Sequence, residues 1–178
     1  IVQMAAIHGL CLDVVSGGEL YTAMQSGFPM EKIYFHGNNK TWDELIMALE
    51  AGVGCIVVDN AMECELLVKA AQRVGTTVRT LIRVNPGVEA HTHKYIVTAH
   101  LDSKFGISIS RMEDIRDMIQ TLTSIPNIAF EGFHSHIGSQ IFDKDAYVAE
   151  IQTLMKFVDD MQKAYGITTK ALNLGGGF

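Results

Sequence analysis

Two glycine-rich strand ends hold the residues of this sequence best suited to chemistry. Leu172-Asn173-Leu174-Gly175-Gly176-Gly177-Phe178 runs an apolar strand into three glycines. Gly132-Phe133-His134-Ser135-His136-Ile137-Gly138-Ser139-Gln140 ends another strand on two histidines, a glycine and a serine. A glycine backbone approaches a ligand closely and turns its N–H groups inward, which suits a phosphate. His134 and His136 stand two apart, so on one strand both side chains share a face. That spacing admits a metal pair, with His91 and His93 as a second such pair, or a ring set beside a bound anion. Against a metal, few acidic residues stand at neighbouring strand ends, and Gly138-Ser139 reads as an anion-binding turn. His136, nearer the strand end, is the stronger functional candidate; His134 reads first as a neutral core or pocket histidine.

Other polar residues gather where the remaining apolar runs stop. Asp13 and Ser16 follow the first run, with Glu19 just beyond; His36, Asn38, Asn39 and Lys40 follow the second; Asp59 follows the third; Arg83 and Asn85 close the fourth. Any one of them could be an ordinary helix cap or loop residue. Their recurrence at every strand end marks a site, because parallel α/β proteins build their active sites there.

The elements that must position these residues are legible from patterning. Strands are expected at 10–15, 32–36, 55–59, 78–84, 130–137 and 171–174, several of them apolar almost throughout, as in sheets covered on both faces. Thr41-Trp42-Asp43-Glu44 is a capping box opening a helix, and Asn60 with Glu63 and Ser110 with Glu113 repeat the signature. A helix over about 144–165 carries Tyr147, Ile151, Leu154, Val158 and Met161 along one stripe and stops at Gly166; a shorter one runs from Gly18 to Ser26. Strict alternation predicts a parallel α/β fold, either a barrel or a doubly wound sheet. Residues 85–109 break the rhythm as an insertion whose apolar content (Tyr95, Ile96, Val97, Phe105, Ile107) predicts order. In eight-stranded barrels phosphate sites form at the loops after the last two strands. If the glycine run follows the seventh strand, Ser139 and the three glycines share one phosphate, and a histidine ring stacks on a flat heterocycle. Nucleotide, flavin and pyridoxal phosphate all remain open on that reasoning.

Composition narrows the classes. The 178 residues are 48% hydrophobic and 19% charged, with a net charge of −6, an ordinary globular balance with no basic stripe for nucleic acid. No apolar run approaches the roughly 20 residues that span a bilayer. The three cysteines, Cys11, Cys55 and Cys64, are scattered in apolar contexts, which predicts reduced thiols in a cytoplasmic protein. The sequence opens on Ile1, and both ends read as cuts within a longer chain.

Six stretches together resemble the fold type III pyridoxal phosphate-dependent amino-acid decarboxylases, the family that includes enzymes of ornithine decarboxylation and alanine racemisation. They are Leu12-Asp13-Val14-Val15-Ser16-Gly17-Gly18-Glu19-Leu20, His36-Gly37-Asn38-Asn39-Lys40-Thr41, Arg83-Val84-Asn85-Pro86-Gly87, Asp102-Ser103-Lys104-Phe105-Gly106-Ile107, the residue 132–140 segment and Leu174 to Phe178. They occur in family order across essentially the whole chain. His91-Thr92-His93-Lys94-Tyr95 leans toward the branch acting on diaminopimelate, whereas Ala99 departs from the glycine expected after Thr98.

The resemblance implies a TIM-type (β/α)8 barrel of the alanine racemase class, with strands two to seven in residues 1–178, and a homodimer with shared active sites. It implies that His136 stacks on the pyridine ring and that Ser139, Gly175, Gly176 and Gly177 hold the phosphate. Asp13, Ser16, Glu19 and Arg83 would line the pocket floor. Lys104 resembles an interface lysine. The Schiff-base lysine and the ring-nitrogen carboxylate are expected upstream and downstream of this chain, along with a separate C-terminal β-domain. The implied reaction is decarboxylation of meso-diaminopimelate to L-lysine in the full-length enzyme, with residues 1–178 inactive alone. Decarboxylation of ornithine, arginine or a polyamine precursor is the nearest alternative, and a metal-dependent barrel hydrolase using His134 and His136 the most distant. A non-catalytic pyridoxal phosphate-binding protein is a third.

Overall fold

The structure, a computed structural model, describes residues 1–88 and 104–177. In chain order the elements are α1 (Val2–Ile7), β1 (Leu12–Val14), α2 (Gly17–Gln25), a 3-10 turn (Met30–Lys32), β2 (Ile33–Phe35), α3 (Trp42–Ala51), β3 (Cys55–Val58) and α4 (Ala61–Val74). They continue with β4 (Val78–Asn85), β5 (Ile107–Ser108), α5 (Met112–Leu122), β6 (Ile128–His134), α6 (Lys144–Tyr165) and β7 (Ala171–Asn173). The sheet order is β1-β2-β3-β4-β6-β7, and every pairing is parallel. This is the expected α/β alternation, an arc of six strands matching part of a TIM-type barrel.

Register stacks inward side chains in layers, as in parallel barrels. Tyr34 stands beside Cys55, and Cys55 beside Arg79. Above them Val57 pairs with Leu81, Leu81 with Gly132 and Gly132 with Ala171. At the top Arg83 pairs with His134 and His134 with Asn173. The inner face holds a small apolar cluster of Cys55, Val57 and Leu81. The larger core lies outside, where Ile56, Ile82 and Phe133 meet Leu45, Leu67, Ile115, Leu122 and Leu154 of the helices. All four residues of β3 are buried, which explains its unbroken apolar run.

Local signals account for most helix starts. The Thr41 capping box is complete: its hydroxyl accepts from the Glu44 N–H at 3.3 Å, and a Glu44 carboxylate oxygen accepts from the Thr41 N–H at 2.9 Å. Asn60 caps α4 by accepting from the Glu63 N–H at 3.0 Å. The Ser110 signature fails. Arg111 is the N-cap of α5 without a side-chain bond, because the Ser110 hydroxyl is taken up with that of Ser108 at 2.9 Å.

Two further expectations are corrected, and one element is added. The strand expected at 130–137 runs Ile128–His134, so His136 stands in the loop beyond it. The α6 stripe is displaced: its buried residues are Ala146, Glu150, Leu154, Phe157 and Met161, while Ile151 is exposed. Hydrophobicity alone passes over Glu150, the centre of that buried face. The two-residue β5 extends the C-terminal end of β4, pairing Val84 with Ile107 and Asn85 with Ser108; a pair of residues is too short to show as a pattern. His91, His93, Tyr95, Ile96, Val97, Ala99 and Phe178 lie outside the described residues.

Candidate active site

At the C-terminal mouth of the strands lies a cavity of about 210 Å³, lined by Asp13, His36, Arg83, His134, His136 and the Gly175-Gly176 backbone. A contiguous hollow of about 170 Å³ shares Arg83 and His136 and adds Phe105. Two larger hollows lie elsewhere, one of about 620 Å³ between the β5 region and α6 and one of about 480 Å³ between α4 and α5. The smaller mouth is where the polar residues of four strand ends converge, and convergence of polar groups defines a site better than size.

His36 follows β2, its backbone N–H donating to the Val14 carbonyl at 2.8 Å. Its buried ring places Nε2 3.5 Å from Asp13 Oδ2 without a closed hydrogen bond. The same ring meets His134 edge-on at a centroid distance of 4.7 Å. Burial, with His36 and Arg83 nearby, pushes His134 down to about 2, so its imidazole is neutral. His136 is also pushed down, first by burial and then by the Arg83 charge, with the Gly176 backbone opposing. Arg83 packs its guanidinium 4.7 Å from the centre of the Phe105 ring. Burial lowers its own proton affinity and the Asp59 carboxylate partly restores it.

The glycine turn is fitted to the loop after β6 by shape. Gly175 has φ +74°, and a Cβ there would lie 2.8 Å from both His136 Nδ1 and the Ser135 carbonyl oxygen. Gly177 has φ +107°, and its Cβ would fall onto the Gly138 carbonyl oxygen, beside the Ser139 Cα. Left-handed backbone and this close approach both require glycine. The turn is tied down by three hydrogen bonds. Gly175 N–H donates to Asn173 Oδ1 at 2.8 Å, Ser135 N–H to the Asn173 carbonyl at 2.8 Å, and Ile141 N–H to the Gly177 carbonyl at 2.8 Å. The structure therefore sets Gly177 against Gly138 and Ser139, and Gly175 against Ser135 and His136; Ser139 is exposed, and neither it nor Gly177 lines the cavity.

Ser16 and Glu19 stand elsewhere. Ser16 is the N-cap of α2, accepting from the Glu19 N–H at 3.3 Å, and Glu19 Oε2 accepts from the Val15 N–H at 2.7 Å. They brace the end of β1 from behind. Lys40, the other strand-end lysine, is equally committed. Its ammonium lies 2.7 Å from Glu63 Oε1 and donates to the Gly37 and Val57 carbonyls at 2.7 and 2.8 Å. Lys104 is exposed, 5.5 Å from the centre of the Phe105 ring. Among the described residues, no lysine lines the cavity, and no three His, Cys, Asp or Glu residues cluster closely enough to hold a metal.

His36 enters the site from outside the expected cofactor set. Its signal in the sequence is the polar His-Gly-Asn-Asn-Lys stretch immediately after a strand. The buried Lys40–Glu63 pair gave a weaker one, because Glu63 reads as a helix-capping residue until the fold brings Lys40 against it.

The parallel fold brings a polar strand-end cavity and a glycine turn to one mouth of the sheet. The chain belongs to the pyridoxal-dependent decarboxylases: the family's pyridoxal-binding domain matches residues 1–178. It is 50% identical over 177 residues to diaminopimelate decarboxylase of Bacillus subtilis and 43% identical to that of Mycobacterium tuberculosis. These matches cover 99% and 96% of this chain, but 40% and 39% of the relatives. The chain thus spans about 40% of the length of the curated relatives it matches. Among solved structures, the diaminopimelate decarboxylase of M. jannaschii in co-complex with L-lysine superposes with a TM-score of 0.87 at 37% identity, covering 99% of this chain and 40% of that one.

The family's cofactor is pyridoxal phosphate, and the residues at the mouth fit it. The cradle has no room for a Cβ at Gly175 or Gly177. Three buried ring nitrogens at the mouth, His36 Nε2, His134 Nδ1 and His136 Nδ1, have no closed hydrogen bond among the described residues.

Proposed function

We propose that the protein carrying this chain decarboxylates meso-diaminopimelate to L-lysine, with residues 1–178 forming the larger part of its pyridoxal phosphate barrel. The observation that carries the proposal is the convergence of Asp13, Arg83, His136 and the Gly175-Gly176 turn on one cavity. The shared name of relatives 42–50% identical over nearly the whole chain supports the substrate. So does L-lysine, the reaction's product, in the M. jannaschii and Helicobacter pylori enzyme complexes.

The bound cofactor supplies an electron sink for the pair left behind as CO₂ departs. This chain's residues hold and orient it. The Ser139 hydroxyl and the backbone of Gly175, Gly176 and Gly177 bind the phosphate. His136 offers an uncharged ring face for stacking on the pyridine, and its low proton affinity keeps it so at neutral pH. Asp13 and Arg83 set opposite charges across the cavity, orienting a zwitterionic substrate. Buried His134 closes the floor against water. Ser16 and Glu19 act indirectly, holding Val15 and so the end of β1 in place.

A lysine joined to the cofactor, a carboxylate facing the ring nitrogen and a C-terminal β-domain belong to the rest of the protein in this reading. The working form is a cytoplasmic homodimer with shared sites, to which Lys104 contributes at the interface.

The test is CO₂ release by the full-length protein from meso-diaminopimelate, ornithine and arginine. The proposal expects kcat/KM for meso-diaminopimelate to lead by orders of magnitude, because a site built for a polar group rejects substrates lacking it. Preference for ornithine or arginine would overturn it.

A further inference from the structure

Arg83 is the long, flexible side chain of the mouth, and it lines both the 210 and the 170 Å³ hollows. A guanidinium on such a stem loses rotamer freedom on binding a ligand unless the fold has already fixed it. Residues 105 and 106 do the fixing. The centre of the Phe105 ring lies 4.7 Å from the guanidinium carbon. Gly106, at φ +69°, lies so close that a Cβ would stand 3.0 Å from the Arg83 carbonyl oxygen and 3.1 Å from its Cγ. Phe105 covers the head of Arg83 and Gly106 its stem.

That segment is held in turn by Asp59, a buried residue immediately after β3. Its Oδ2 accepts from the Gly106 N–H at 3.0 Å. Asp59 does not cap α4, a task that Asn60 performs. A buried carboxylate is costly, and this one is turned toward Gly106 rather than toward its own helix. Asn38 Nδ2 donates to the Lys104 carbonyl at 3.1 Å, and Asn60 Nδ2 to the Asn38 carbonyl at 3.2 Å, so the start of the segment is tied to the same two loops.

We propose that Asp59 is a positioning residue for Arg83: by accepting the Gly106 N–H it keeps Phe105 against the guanidinium, and so fixes that charge at the cavity where the substrate binds. The placement rests on the hydrogen bond and the ring contact, and its consequence for the substrate rests on the functional reading above.

Four variants of the full-length protein test it: Asp59→Ala, Asp59→Asn, Phe105→Leu and the double variant D59A/F105L. Each is assayed for kcat and KM on meso-diaminopimelate. Each is also freed of cofactor and treated with phenylglyoxal, with labelling of Arg83 followed by peptide mass. Asn keeps an acceptor for the Gly106 N–H, so D59N stays within about twofold of the parent in KM. D59A and F105L each raise KM by about tenfold with kcat little changed, the pattern of lost uniform binding. Both also speed the labelling of Arg83. The double variant is no worse than either single one, because the two changes act through one contact. A merely structural role would lower the melting temperature of D59A without splitting KM from kcat, and its loss would add to that of F105L.

Parent-like KM and labelling in D59A or F105L, equal losses in D59N and D59A, or additive losses in the double variant would overturn the role of Asp59 while leaving the function standing. If D59A fails to fold, F105L and D59N decide, since a parent-like F105L or an impaired D59N overturns the proposal. A parent protein that releases no CO₂ from meso-diaminopimelate would overturn the functional reading instead, and labelling of the cofactor-free protein would still decide whether Asp59 holds Arg83.

Discussion

His134 is a histidine that does not titrate where histidines usually do. Its folded-state value of about 2 lies far below the ordinary 6.5, so the unfolded chain takes up a proton that the native state refuses. Stability is therefore fully present above pH 6.5 and falls as pH drops from there toward 2, by about 1.4 kcal/mol per pH unit for this group. Chemical denaturation of the full-length protein at stepped pH should show His134→Asn with a shallower acid slope than the parent; equal slopes would refute the assignment. Cys55 and Cys64 are buried with thiols pushed up to about 12, whereas Cys11 is exposed. A thiol reagent at pH 8 should label Cys11 quickly and the other two only on unfolding, because thiolate is the reactive form. Gly177→Ala would force a Cβ onto the Gly138 carbonyl, so cofactor affinity should fall by at least about tenfold even where the protein folds. Much of this scale was legible beforehand: the glycines and His136 announced themselves by type and spacing. His36 stood out only as one of the polar strand-end residues and Glu150 not at all, because a histidine or glutamate gains its meaning here from the neighbours that the fold brings to it.

At the scale of elements, buried polar ties fix the strand-end loops relative to one another. Lys40 joins the loop after β2 to the end of β3 and the start of α4. Asp59 Oδ2 accepts from the Gly106 N–H at 3.0 Å, and Asn38 Nδ2 donates to the Lys104 carbonyl at 3.1 Å, bringing the 104–106 segment to the mouth. Removing one partner strands a buried charge, so Lys40→Met should cost about 3–5 kcal/mol in denaturant unfolding. The double variant Lys40→Met with Glu63→Leu should recover most of that; additive losses would contradict the pairing. Strand positions were readable because apolar β-branched runs stand out, as in β3. The faces of helices were less so. The α6 stripe slipped because an acidic residue occupies a buried position, and the expected start of α5 at Ser110 lost its cap to a local serine–serine contact.

At the scale of the whole molecule, the sheet is an arc whose outer strands, β1 and β7, each have a single partner among the described residues. Parallel edges left open invite pairing with other chains. Phe142, Val148, Ile151 and Met155 add exposed apolar surface along and beside α6. Residues 1–178 expressed alone should therefore elute as aggregate in size-exclusion chromatography; a monomer with a cooperative melt would contradict the open-edge account. Alternation of elements made the parallel architecture legible, whereas barrel closure depends on pairings beyond any local pattern. The central claim is that two loops, residues 138–139 and 175–177, form one phosphate cradle with His136 beside it. The most direct measurement is a crystal structure of the full-length protein with pyridoxal phosphate bound. The account predicts the phosphate between Ser139 and the Gly175–Gly177 backbone, with the pyridine stacked on His136. Phosphate density elsewhere, with this cradle empty, would contradict it.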